Sequence, residues 1–276
     1  MTRGTLAARF AGLLVVAAGR GWAQGVTLQI KPHPGDTIRT LLDQRSEMTG
    51  VKRTDAGEAT AMVVSTLKMF SRAIVEGVSD KGTTVLAVTD SALMSTTDEQ
   101  ARAATLQAQA AMRGQRVQFH VLPDGTVGMS EAGGAPRDVA QVVSVMPAAF
   151  PKAPINVGES WIREMPLPAG TQLGAQLSGK LYLTFRFDSL THGGEWAFVS
   201  MHGEMRPVRG PGAVGMILER GSVVGTMLVD RGRGWLTESW FNIVMSSLVT
   251  PPLAGGLVSM HTEMRITQHM RTLDRR

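Results

Sequence analysis

The chain has 276 residues and no cysteine. Disulfides, thiolate metal sites and cysteine nucleophiles are thereby excluded, as is a lipid anchor, which needs a cysteine at the processing site. Aromatic residues make up 5% of the chain, with a single tyrosine, and no cluster of lysine and arginine follows one face. A nucleic-acid partner, which needs a basic stripe and stacking side chains, is not expected. Beyond the first two dozen residues no apolar run approaches the roughly 20 residues of a membrane-crossing helix. The catalytic signatures G-x-S-x-G and H-E-x-x-H do not occur. The six histidines are scattered, so nothing selects a Ser/His/Asp triad. Neither an enzymatic activity nor a cofactor is expected.

What is present begins with an export signal. Arg3 and Arg9 supply a positive head, Phe10 to Gly19 an apolar run, and Gly21-Trp22-Ala23 small residues before a cut at Gln24. This order of charge, short apolar core and small-residue site is that of a secretory signal peptide. The expected organisation is a signal peptide over 1–23 and one β-rich domain over 24–276, with halves at about 24–135 and 150–276. Losing Arg3, Arg9 and Arg20 takes Lys+Arg from 28 to 25 against 23 Asp+Glu, so the mature charge is only +2. The expected location is periplasmic or extracellular, as a soluble protein.

The mature region alternates apolar and polar residues, the pattern of half-buried strands. Leu181, Leu183, Phe185 and Phe187 alternate with Tyr182, Thr184, Arg186 and Asp188. Met260, Thr262, Met264, Ile266 and Met270 share one face against His261, Glu263, Arg265 and His269. Further strands are predicted over 26–31, 37–48, 60–75, 83–93, 116–122, 126–131, 195–205, 222–229 and 235–248. Turn sequences such as Pro123-Asp124-Gly125 and His192-Gly193-Gly194 separate them. Two central helices are predicted. One spans Asp98 to Met112, capped by Thr96 or Thr97 and stopped by Gly114; the other spans Pro136 to Met146. The predicted fold class is mainly β (α+β): an antiparallel curved sheet or open barrel from two strand-rich halves, with those helices between them. The halves echo one another, since His33-Pro34-Gly35-Asp36-Thr37 opens the first and Asn156-Val157-Gly158-Glu159-Ser160 the second.

The segment Phe150-Pro151-Lys152-Ala153-Pro154-Ile155-Asn156-Val157-Gly158-Glu159-Ser160-Trp161 resembles the P-x-x-P-V-x-V-G-[DE]-[ST]-W signature of an uncharacterised family of secreted bacterial proteins. Lys31 to Thr37 is similar to the start of that family's domain. The resemblance implies no catalytic residues, because the family has no assigned activity. In outline, two sets of strands interrupted by helices are also similar to the periplasmic lipoprotein-carrier (LolA-like) fold. That likeness implies an open barrel with a helical lid over an apolar cavity.

Three sets of residues are candidates for chemistry. Gly210-Pro211-Gly212-Ala213-Val214-Gly215 matches G-x-G-x-x-G, with Asp230 at the spacing of a ribose-binding acid. The glycines would have to open a helix that holds a pyrophosphate. Met216 to Val229, with two glycines and three valines, is poor helix material, so the motif reads as a glycine-rich loop. Ser200-Met201-His202-Gly203-Glu204-Met205 recurs as Ser259-Met260-His261-Thr262-Glu263-Met264. Side chains at i and i+2 of a strand share a face, so His202, Glu204, His261 and Glu263 would form a metal site if their strands were neighbours. The alternative is a solvated outer face.

The third set is apolar. Of the 17 methionines, several fall on apolar strand faces, and flexible thioethers suit varied apolar ligands as well as plain gap-filling. Met201, Met205, Met260, Met264, Ile266, Leu183 and Phe185 are therefore the candidate lining of a cavity. The function expected from these features is non-enzymatic binding of a lipid or other apolar small molecule by an exported protein. The alternative is a structural or interaction domain without a cavity, whose partner is an envelope protein. Metal binding through the two H-x-E strands ranks third.

Overall fold

A computed structural model describes residues 25–54, 57–129, 150–166, 179–207, 215–250 and 260–273. The expected signal peptide, the helix predicted over Pro136–Met146 and Gly210 to Val214 of the glycine motif lie outside them. The alternating segments become strands. β1 (Thr37–Thr54), β2 (Gly57–Ser79) and β3 (Gly82–Thr96) form a long meander that continues through β4 (Arg116–Val121) and β5 (Val127–Met129). A second meander runs through β6 (Ser160–Pro166), β7 (Gly179–Thr191), β8 (Trp196–Pro207), β9 (Gly215–Asp230), β10 (Trp235–Thr250) and β11 (Met260–Thr272). β9 includes the stretch after the glycine motif, which is strand and not helix.

The two meanders share one sheet, in the order β5-β4-β3-β2-β1-β11-β10-β9-β8-β7-β6. The first and last strands lie side by side and pair antiparallel, with Leu42 opposite Met270, Gln44 opposite Gln268 and Met48 opposite Met264. β5 and β6 are the free edges, so the sheet does not close into a barrel. Of the two predicted architectures, the curved sheet is the one found.

One face carries the core. On β7 the buried side chains are Leu181, Leu183, Phe185 and Phe187, and on β8 they are Ala197, Val199, Met201 and Met205. Phe198, His202 and Glu204 alternate with them on the exposed face. Each large apolar side chain buried in this way contributes about 1.5–3 kcal/mol. Gly203 completes the inner row of β8. A Cβ there would stand 2.5 Å from Leu183 Cδ2 and 2.6 Å from Tyr182 O, so the missing side chain lets the neighbouring strand's leucine cross over it.

A single α-helix, α1 (Arg102–Met112), is present among the described residues, where two were predicted in the chain. It also begins four residues later than predicted. The hydroxyls assigned to its cap bond elsewhere, and Asp98, expected as its first residue, lies in the turn before it. Thr97 Oγ1 accepts the Val64 N–H, Thr96 Oγ1 accepts the Asp98 N–H, and Asp98 Oδ1 accepts the Gln100 N–H. Ala101 stands at the N-cap without a side-chain bond. The helix packs on β3. There β4 pairs only with Thr83–Val88, and beyond that stretch Gln109 Oε1 accepts the Met94 N–H at 2.8 Å. A helix thus covers an edge that would otherwise offer free backbone groups.

The predicted strand over 26–31 is not one. Val26 makes a single bridge to Ile155, Ile30 N–H donates to Pro123 O, and Lys31 N–H donates to Gly234 O. The segment therefore runs across the turns at one end of the sheet, tying the β4–β5 connection to the β9–β10 connection. Leu28 and Ile30 are buried beneath it. Its apolar alternation was real, but it serves a strap that crosses strand ends.

Candidate functional site

The inner face of the sheet is apolar on both flanks and polar along its seam. β1 and β11 contribute Thr40, Gln44, Ser46, Thr262, Gln268 and Thr272 to that face, interleaved with Leu42, Met48, Met264, Ile266 and Met270. None of these seam residues carries a charge. The hydroxyls pair where they can, with Thr40 Oγ1 and Ser71 Oγ 2.7 Å apart and Ser247 Oγ and Thr262 Oγ1 also at 2.7 Å. Burying hydroxyls costs little once each has a partner.

A cavity of about 140 Å³ lies against this seam. Leu42, Met69, Ala73, Ala87 and Met270 form its floor, Phe119 and Val121 of β4 one wall, and Trp235 and Leu236 of β10 the other. Ile30 from the strap and Met112 from α1 complete it. Five inter-strand steps separate β4 from β10 in the sheet order. At about 4.8 Å per step, a flat sheet would hold them roughly 24 Å apart. One small cavity touches both, so the sheet curls around it. The small side chains at Ala73 and Ala87, opposite one another on β2 and β3, leave the space that larger residues would fill. Arg72 also lines the cavity, but its guanidinium is held by Asp90, with Nε 2.9 Å from both carboxylate oxygens.

The seven apolar residues nominated from the sequence divide into two groups. Leu183, Phe185, Met201 and Met205 are buried in the core under β7 and β8. Phe185 stacks on Trp161 with ring centroids 5.3 Å apart. Met260, Met264 and Ile266 are half-buried on the inner face of β11, farther along that strand from the cavity than Met270. None of the seven lines the 140 Å³ space. Its residues were missed because Ala73, Ala87, Thr40 and Gln268 are individually unremarkable. The only signal for them was the inward phase of alternation, which Met270 shares.

The four nominated metal ligands do face one way, outward, but on strands that are not neighbours. β8 carries His202 and Glu204, β11 carries His261 and Glu263, and β9 and β10 lie between. Among the described residues no group of three or more His, Asp or Glu side chains is placed to hold a metal ion. Glu204 pairs instead with Arg206 at 3.3 Å, and the Arg206 guanidinium lies 4.7 Å from the centroid of the Tyr182 ring. His261 Nδ1 is 3.5 Å from Glu219 Oε2, beside a shallow outer hollow of about 410 Å³ that Arg220, Ser246 and Glu263 also border.

The fold is similar to part of lipovitellin. A structure described as showing lipid–protein interactions in lipovitellin superposes with a TM-score of 0.51 at 10% identity, covering 88% of this chain and 26% of that one. This chain therefore spans about a quarter of the lipovitellin chain's length, 26%. At that identity the likeness establishes the fold alone. An outer membrane lipoprotein-sorting protein domain from Vibrio parahaemolyticus is similar over 84% of this chain and 83% of its own, at 9% identity and a TM-score of 0.15. A DUF1329 family protein from Desulfovibrio piger covers 84% of this chain and 85% of its own, at 11% identity and a TM-score of 0.13. At those scores neither structure supports an argument. No protein-family model matches the chain, and no curated protein matches it. Among the described residues no helix is long and apolar enough to cross a membrane.

Proposed function

We propose that this is an exported, non-enzymatic protein that binds a lipid or another apolar molecule within the curl of its sheet. The observation that carries this is the partly open apolar cavity lined by β1–β4, β10, β11 and the strap. A space of about 140 Å³ is close to the size of an apolar cavity that takes up a benzene-sized group. It would seat one ring or a short length of acyl chain, and a longer ligand would need the strap or α1 to shift. The likeness to lipovitellin, whose structure is described in terms of lipid–protein interactions, supports the reading. Export rests on the sequence of residues 1–23.

Nile red fluorescence with the purified protein, followed by displacement with decanol, tests the reading. Blue-shifted, saturable emission that decanol reverses is the expected result. Absence of saturable emission, together with empty protein in native mass spectrometry after incubation with lipid, would overturn it. That outcome would favour a closed, fully packed interior with an envelope protein as partner, the reading to which the tightly buried side chains of β7 and β8 lend weight.

A further inference from the structure

We infer that the ligand is a neutral amphiphile, whose hydrogen-bonding group (a hydroxyl, ester or amide) is held by the side chain of Gln268. This inference rests on the reading of the curl as an apolar-ligand site and specifies what that site selects. Gln268 is 7% exposed and lines the cavity. No hydrogen-bond partner for its carboxamide is found among the described residues, and it is not one of the sealed, unpartnered polar groups, so it opens to the cavity. A carboxamide carries two donors and an acceptor, and one that opens onto an apolar cavity can turn them toward a ligand. Gln44 stands opposite it on β1. Met270 follows two residues on along the same face, and Phe241 stands opposite it on β10. Ser239, diagonal to it across the β10–β11 pair, is also buried with its hydroxyl unpartnered. The hydroxyls of Thr40 and Ser71 on the same wall are satisfied by each other, which leaves Gln268 and Thr89 as the uncharged polar side chains that can meet a ligand, and Gln268 is the more deeply buried.

The same wall argues against a charged head. Arg72 is the one cation among the lining residues, and Asp90 already neutralises it. A carboxylate or phosphate brought into this space would lose its hydration with no free counter-charge. A hydroxyl, ester or amide loses much less and recovers it from the carboxamide, which both donates and accepts. The chain of the amphiphile would then lie over Leu42, Ala73, Ala87 and Phe119.

The test compares decanol, decanoate and decane as displacers of nile red, on the wild-type protein and on Gln268→Leu and Gln268→Met. Both substitutions keep the size of the side chain and remove only its polar groups, and their melting curves report whether each folds. On the wild-type protein decanol is expected to displace the probe and decanoate to do so much more weakly at neutral pH. The ratio of decanol to decane affinity should fall by about threefold to tenfold in both variants, the worth of one hydrogen bond. An unchanged ratio in the folded variants, or decanoate displacing as well as decanol, would overturn the inference while leaving the apolar site intact. No displacement by any of the three would instead overturn the site itself. If neither variant folded, the decanol-to-decanoate comparison on the wild-type protein would still decide the question of charge.

Discussion

Asp36 and Glu159 occupy the same place in two copies of one turn. Each carboxylate accepts the backbone N–H three residues earlier, His33 to Asp36 Oδ2 at 3.0 Å and Asn156 to Glu159 Oε2 at 2.9 Å. Each acid's own N–H closes the turn onto the carbonyl of that same residue, and each is preceded by a glycine with positive φ, +86° at Gly35 and +91° at Gly158. That is the demand of a type II turn at its third position. Each turn then docks in the same way on the next strand, Gly35 N–H on Val75 O in β2 and Gly158 N–H on Phe187 O in β7. β1 and β6 thus enter the sheet by the same device, and the echo between the two sequence halves has a structural counterpart.

Glu159 should make stability depend on pH. The Asn156 backbone N–H, followed by the Asn156 side-chain amide, holds its carboxyl below the usual value. A lowered native value means the contribution is complete above the unfolded-state pKa and is lost as the pH falls toward the native one. Melting temperatures of the wild-type protein should therefore drop between about pH 5 and that lower value. Glu159→Gln should be flatter over the same window, and two parallel curves would contradict the assignment.

Filling the cavity should remove binding without unfolding the protein. Ala87 lines it, opposite Ala73. Leucine at position 87 places three further carbons into the void, and filling a void commonly stabilises by about 0.5–2 kcal/mol. Ala87→Leu is expected to hold or raise the urea midpoint and to weaken nile red binding by about tenfold, equivalent to roughly 1.4 kcal/mol. Full binding by a folded variant would place the ligand elsewhere.

Gly203→Ala should destabilise the β7–β8 pair. Its Cβ would meet Tyr182 O at 2.6 Å, a backbone atom that cannot swing away. Overpacking of this kind costs about 1–3 kcal/mol, readable as a lower denaturation midpoint.

Gln109→Ala should loosen α1 from β3. The Met94 N–H would lose its acceptor at the sheet edge, at a cost of about 0.5–1.5 kcal/mol. Faster amide exchange at Met94, with the β7–β8 core unaffected, is the expected signature.

The cavity was not legible in the sequence, and the reason is geometric. Period-two alternation marks which face of each strand is buried, and it correctly put Met201, Met205, Leu183, Phe185 and Met264 on one side of their strands. It does not say which buried faces end up across from one another. Phe119 and Trp235 border one space only because the sheet curls over five strand spacings, and that curl depends on the pairing of β1 with β11 and on the strap's bonds to Pro123 and Gly234. The same limit explains the metal hypothesis. H-x-E puts two ligands on one face of a strand, but β9 and β10 separate the two pairs.

By itself the sequence determined the local terms: the exclusion of thiol chemistry, most of the strands and their inward faces, the turns at Gly35 and Gly158, and one helix to within four residues of its start. These depend on side-chain period and backbone sterics within a few residues of one another. The strand order, the open edges, the crossing strap and the exposure of Gln268 to a cavity were decided by tertiary structure alone. Each depends on contacts between segments far apart in the chain, and only the folded sheet brings those segments together.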